Sequence, residues 1–144
     1  ESNIYEGLHG LKMAYKQHVE NMEPNETVSI IALIGKEFKH EKNLRAFFSD
    51  TVDRIMIEKR AKGNMITNKL VQEIIKRDRP DSSIYTIRHL STRQAMPYAL
   101  NISKKQVMMS VWGDVPIVFT INNPVVVKAF QEHFDVMWGK AKKK

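Results

Sequence analysis

No cysteine occurs among the 144 residues, which excludes disulfides and thiolate metal sites and makes a reducing, cytoplasmic setting the expectation. No apolar run approaches the ~20 residues that span a bilayer, so no membrane contact is expected. Metal-ligand spacing is missing as well. None of His9, His18, His40, His89 and His133 has a second histidine or a carboxylate at a recognised zinc separation. Each is expected to be a surface or part-buried polar residue. Without a Gly-x-Ser-x-Gly elbow or a glycine-rich dinucleotide loop, no cofactor is expected and no catalytic residue is assigned. The chain opens Glu1-Ser2-Asn3, with neither a signal peptide nor an initiator methionine, and is read as a piece of a longer protein. Repeats, low-complexity tracts and linkers are also missing, so residues 1–144 are expected to form a single domain.

What is present is a basic chain, net charge +7, with the charge unevenly spread. The first 26 residues carry five acids and two bases, residues 27–80 seven acids and twelve bases, and residues 81–144 four acids and nine bases. Such a balance permits contact with nucleic acid or anionic ligands, and it equally describes a solvated surface with a basic tail, Lys142-Lys143-Lys144.

The stretch from Ala95 to Ile121 is rich in β-branched and aromatic residues and has no helical period. Breaks at Ser103-Lys104-Lys105 and Gly113-Asp114 divide it into strands at Tyr98–Ile102, Gln106–Trp112 and Ile117–Ile121, the spacing of an antiparallel meander. Upstream, Thr27 to Ile34 is almost continuously apolar, as in a strand buried on both faces, and Gly35-Lys36 follows at its carboxyl end. Ligands collect at that end of strands in open α/β sheets, though no P-loop spacing accompanies this Gly-Lys.

Leu8, Leu11, Tyr15, Val19 and Met22 mark one face of a first helix. It is placed from near Gly7 to before Pro24, with Ile4-Tyr5-Glu6 extended and Gly7 and Gly10 allowing a close backbone approach. Glu41 to Ala61 reads as the longest helix, with Leu44, Phe47, Phe48, Val52, Ile55 and Met56 inward, Asp50 and Asp53 solvated, and Lys62-Gly63 as its cap. Then come a weak strand, Asn64 to Asn68, a short helix from Lys69 to Arg77, and a strand from Ser83 to Arg88 leading into a polar loop that starts at His89. Asn123 and Pro124 start a last helix whose Val126, Phe130, Phe134, Met137 and Trp138 share one face. This order predicts an α/β fold, a mixed central sheet flanked by helices and partly parallel.

The opening Ile4-Tyr5-Glu6-Gly7-Leu8-His9-Gly10-Leu11-Lys12 resembles the "IYEGLEGIK" start of the effector domain of archaeal TrmB-like transcription regulators. The aromatic-rich ending, Phe130-x-x-x-Phe134-x-x-Met137-Trp138, resembles that family's last helix, so the two ends match in order and spacing. The resemblance implies a half of a phospholipase D-like fold, an upstream winged helix-turn-helix that contacts DNA, a homodimer, and a small-molecule effector. In the active phospholipase D enzymes a His-x-Lys-x4-Asp motif supplies the nucleophile. Laid on the strand pattern here, those three fall at Pro97, Ala99 and Lys104, and the Gly-Ser-x-Asn that follows falls near Val111, Trp112 and Asp114. None of the catalytic groups is kept.

The implied function is therefore a non-catalytic effector or sensor domain, with any ligand held in the degenerate cleft at Gly35, Lys36, Pro97, Ala99, Asn101, Ser110 and Trp112. Trp112 either stacks on a sugar or base or packs in the core. Asn101 either bonds a ligand or satisfies a turn. A basic nucleic-acid-binding module and an active phosphodiesterase stand as the alternatives.

Overall fold

The computed structural model describes residues 1–33, 41–78, 82–90 and 98–143. Its centre is an eight-stranded mixed sheet in the order β1-β7-β6-β5-β2-β3-β4-β8. The expected meander forms it as β5 (Tyr98–Ile102), β6 (Val107–Val111) and β7 (Ile117–Ile121), all antiparallel. β1 (Ser2–Glu6) pairs with β7 and puts the opening residues at the sheet edge. The buried strand β2 (Thr27–Ala32) runs antiparallel to β5 and parallel to β3 (Lys62–Thr67), which is parallel in turn to β4 (Tyr85–His89). The two-residue β8 (Lys142–Lys143) closes the far edge.

α1 (Gly7–Glu20) starts where the glycines predict. Gly7 has φ +76°, a backbone state that costs other residues strain, and its N–H donates to Pro116 O at 2.8 Å. Gly10 lies so close to Tyr5 that a Cβ would meet that residue's backbone at 3.3 Å. On the same side of the sheet, α2 (Glu41–Phe47), a π-helical turn (Phe48–Asp53) and α3 (Arg54–Glu58) follow one another as the long helix, and α4 (Lys69–Asp78) joins them. Asn68 caps α4 by accepting from Val71 N–H at 3.0 Å. The opposite side is covered by α5 (Pro124–Lys140), whose cap Asn123 accepts from the N–H groups of Val125 and Val126 at 2.9 and 3.2 Å. Below its last turn, Arg88 lies 4.1 Å from the Trp138 ring and donates to Trp138 O at 2.8 Å.

Strand alternation splits the core into two layers. Val28, Ile30, Met65, Met108 and Val118 face α1 and the long helix, while Ile31, Leu33, Ile66, Leu100 and Ile102 face α5 with Val127 and Phe134.

Three expectations are corrected. The long helix is not uniform: its π-helical turn shifts the register of everything after it. Asp53 is therefore turned inward, 1% exposed, instead of solvated, and Tyr85 Oη donates to its Oδ1 at 2.6 Å. Lys62-Gly63 is not the helix cap. Arg60 takes the left-handed φ of +57°, and Gly63 sits inside β3, where a Cβ would lie 2.6 Å from the Tyr85 ring. His89 ends β4 rather than opening a loop. Among the described residues no helix is long and apolar enough to cross a membrane. Ile34 and most of the polar loop after β4 lie outside the described residues.

Candidate functional site

β5 carries the residues the cleft was expected to use. Alternation sends Leu100 and Ile102 toward α5 and leaves Ala99 and Asn101 on the other face. Pairing with β2 places Ala99 opposite Ala32 and Asn101 opposite Ile30, and pairing with β6 places Ser110 opposite Ala99. Trp112 follows the end of β6 and packs half-buried against the α1-side core.

Ala99, Asn101 and Trp112 meet around one cavity of about 120 Å³ between the sheet and the helices above it. Its walls are mainly aliphatic, with Ile30, Leu44 and Met56 among them, and Tyr15, Phe48 and Tyr85 add aromatic surface. Apolar cavities near 150 Å³ accept a molecule the size of benzene. The Trp112 ring forms part of the wall and packs against the α1-side core.

Ser110 shares the face but is committed elsewhere: it is fully buried and its Oγ donates to Tyr15 Oη at 2.8 Å. Gly35, Lys36 and Pro97 lie outside the described residues, so the structure brings together three of the seven expected site residues and sets a fourth beside them.

Sequence reasoning passed over His18. It was expected at or near the surface, yet it is 3% exposed and contributes to the cavity wall. The spacing Leu11, Ala14, Tyr15, His18, Val19 carries the signal, because His18 falls on the buried stripe of α1. Its Nδ1 lies 2.6 Å from Gln106 Oε1, and its Nε2 is buried with no hydrogen-bond partner among the described residues. A buried polar atom left without a hydrogen bond costs about 1–3 kcal/mol. Burial pushes the His18 pKa below 6.5, while the Gln106 hydrogen bond and the Glu26 charge push it up less. The ring is thus neutral at pH 7.

Among the described residues that line the cavity there is no lysine. The position the resemblance would give to a lysine is Ala99, a methyl group on an apolar wall. Arg45 also contributes to the wall, from an exposed position. No group of three metal-ligating side chains occurs among the described residues. What the chamber can do is enclose a small, uncharged, mostly apolar molecule and meet it with a few polar atoms.

No protein-family model and no curated protein matches the chain. Solved structures do. TrmBL2, an archaeal chromatin protein with a novel mode of DNA binding, is 15% identical at a TM-score of 0.67 over 99% of this chain and 54% of its own. Nuc from Salmonella typhimurium, a phospholipase D family member, is 9% identical at a TM-score of 0.67 over 100% and 97%. NucT from Helicobacter pylori is 11% identical at a TM-score of 0.59 over 100% of both chains. The present chain spans about half the length of the TrmBL2 chain it matches. At these identities the likeness shows the fold alone, and it is the expected α/β architecture: phospholipase D-like, and common to the TrmB-like protein and to the phospholipase D family member.

Proposed function

We propose that this chain is the non-catalytic effector or sensor domain of a TrmB-like transcription regulator of the archaeal type, working as a homodimer with DNA held by a separate N-terminal winged helix-turn-helix. A small-molecule effector enters the cleft of the old phosphodiesterase scaffold, and its differential affinity for two packings of the domain biases the DNA-binding half. The site is Ala99, Asn101 and Trp112, with Ser110 beside them and Gly35, Lys36 and Pro97 completing it.

One observation carries the reading: on the face of β5 where a phosphodiesterase would carry its charged groups, Ala99 stands on a mainly apolar wall beside a cavity. Among the described residues of that wall no lysine is present, and Arg45 is the only cation. The likeness to TrmBL2, which joins this fold to a DNA-binding protein, supports the assignment to a regulator.

The test is turnover of bis(p-nitrophenyl) phosphate by the purified chain. No hydrolysis above background is expected. Hydrolysis that disappears in Asn101→Ala overturns the non-catalytic assignment. A second reading, direct DNA contact by this domain, is favoured by the net charge of +7. It predicts duplex binding whose affinity falls steeply with salt, and no binding at ~50 mM salt removes it.

A further inference from the structure

The sheet treats its two margins differently. At one, β8 is two residues long and both are lysines, Lys142 and Lys143, a short charged edge of the kind that keeps sheets from joining. At the other, β1 runs five residues, Ser2–Glu6, without a lysine or a proline. Its inner side is spent on β7. The Glu1 amino group donates to Asn122 O at 3.3 Å, Asn122 N–H to Glu1 O at 2.8 Å, and Gly7 N–H to Pro116 O at 2.8 Å. Antiparallel ladders alternate, so Asn3 and Tyr5 bond inward as well. Ser2 and Ile4 therefore turn N–H and C=O away from the sheet, and Glu6 turns its N–H the same way. Among the described residues no strand lies beyond β1.

One face of this margin is also unfinished. Leu100, Met109, Phe119 and Ile4 stand opposite one another on β5, β6, β7 and β1, on the α5 side of the sheet. α5 packs on β2, β5 and β6, so it covers only the start of that row. Leu100 is 4% exposed, Phe119 38% and Ile4 63%. The row loses its cover toward the edge and ends on an isoleucine in water. A second copy turned about a two-fold axis at Ile4 supplies the other half of the row. In that register each Ile4 exchanges both backbone hydrogen bonds with its counterpart, and each Glu6 N–H donates to the Ser2 C=O opposite. Glu6 is the one charged side chain of β1, and it meets Ser2, so no like charges face each other.

We propose that β1 is the dimerisation edge: two copies of this chain pair β1 with β1 antiparallel, centred on Ile4, and join their sheets into one. The proposal rests on the homodimer of the reading above and names its surface. The apolar row then runs unbroken from Leu100 of one copy to Leu100 of the other. None of the cleft residues takes part, since Ala99 and Asn101 lie on the opposite face of the sheet.

The chain has no cysteine, so a single introduced one reports the pairing directly. Hydrogen-bonded residues of an antiparallel pair hold their Cα atoms about 5.5 Å apart, within disulfide range. Ile4→Cys is expected to give a disulfide-linked dimer under mild oxidation, and Lys143→Cys, at the other margin, is expected to give none. In sedimentation equilibrium the purified chain is expected to dimerise. Ile4→Lys sets two cations together at the axis and is expected to weaken the dimer about tenfold or more. Because Ile4 is 63% exposed, that variant is expected to keep the wild-type circular dichroism. The Ile4→Cys cross-link decides the matter even if it does not. An undiminished dimer in a folded Ile4→Lys, or cross-linking no faster at residue 4 than at residue 143, overturns the β1 edge and leaves the homodimer to another surface. A wild-type chain that stays monomeric at ~0.5 mM overturns the edge and the homodimer together. The sensor reading falls separately, on phosphodiester turnover.

Discussion

On one side of the sheet a single helix of 17 residues, α5, lays Val127, Phe134 and Trp138 over Ile31, Ile66, Leu100 and Ile102. On the other, α1, the long helix and α4 divide the same task and leave a chamber. One amphipathic stripe can match one twisted surface; three elements meeting over it have seams, and a seam that no side chain fills becomes a cavity. Polar groups do not follow the same division, since Arg88 Nε beside α5 is also buried with no hydrogen-bond partner among the described residues. On the α5 side, Ser29 is met by Gln131, which donates to it at 3.0 Å. On the α1 side, His18 Nε2 has no such partner among the described residues, and Asp53 is buried against Tyr85.

That contrast can be broken by substitution. The largest effect is expected from Phe134→Ala, which removes a fully buried ring stacked on Trp138 in the filled layer and costs about 3–5 kcal/mol in urea unfolding. A loss below about 1 kcal/mol would mean that the α5 layer is loosely packed too. Next comes Tyr85→Phe, which deletes the hydroxyl that donates to Asp53 and is expected to cost about 1.5–3 kcal/mol, since the bond is to a buried carboxylate. An unchanged midpoint would show that Asp53 does not depend on it.

A paired experiment tests the seam itself. Ala141→Leu, in the filled layer, is expected to cost about 1–3 kcal/mol by overpacking. Ala99→Leu, at the cavity wall, is expected to be neutral or stabilising, because its extra carbons enter empty space. Equal costs at the two alanines would contradict the chamber.

The smallest effect concerns acidity. Burial lowers the folded-state pKa of His18 below 6.5, so between that pH and the folded value the unfolded chain binds a proton the folded one refuses. The contribution of neutral His18 is therefore complete above pH ~6.5 and declines as pH falls. Glu26, whose charge favours the protonated ring, tempers the decline. Urea midpoints compared between wild type and His18→Leu over pH 5–8 should diverge in that direction; parallel curves would mean that the ring is solvated.

The strands were legible because their signals are local. β2 is an almost continuously apolar run, the meander is punctuated by turn residues, and α5 announces itself with an Asn-Pro start and a periodic face. The errors arose where a residue's role depends on a neighbour distant in sequence. Asp53 looked solvated because a 3.6-residue period puts it outside, and no pattern in the sequence marks the π-helical turn that brings it under Tyr85. Gly63 looked like a cap, yet it is small because the Tyr85 ring passes over β3. For the site, β-strand alternation was enough to put Ala99 and Asn101 on one face. The partner of Ser110 and the burial of His18 come from α1, which lies far away in sequence.

The strand order has a mechanical corollary. The first strand, β1, lies at one margin of the sheet and the last, β8, at the other, separated by seven inter-strand spacings. At about 4.8 Å each these amount to roughly 34 Å, so a force applied between them pulls across the ribbon and not along it. Such a load strips strands from the margins inward, and the shortest rung yields first: the pairing of Lys142 and Lys143 with His89 and Arg88. The pairing in the middle of the order, β5 against β2, is the last to be reached.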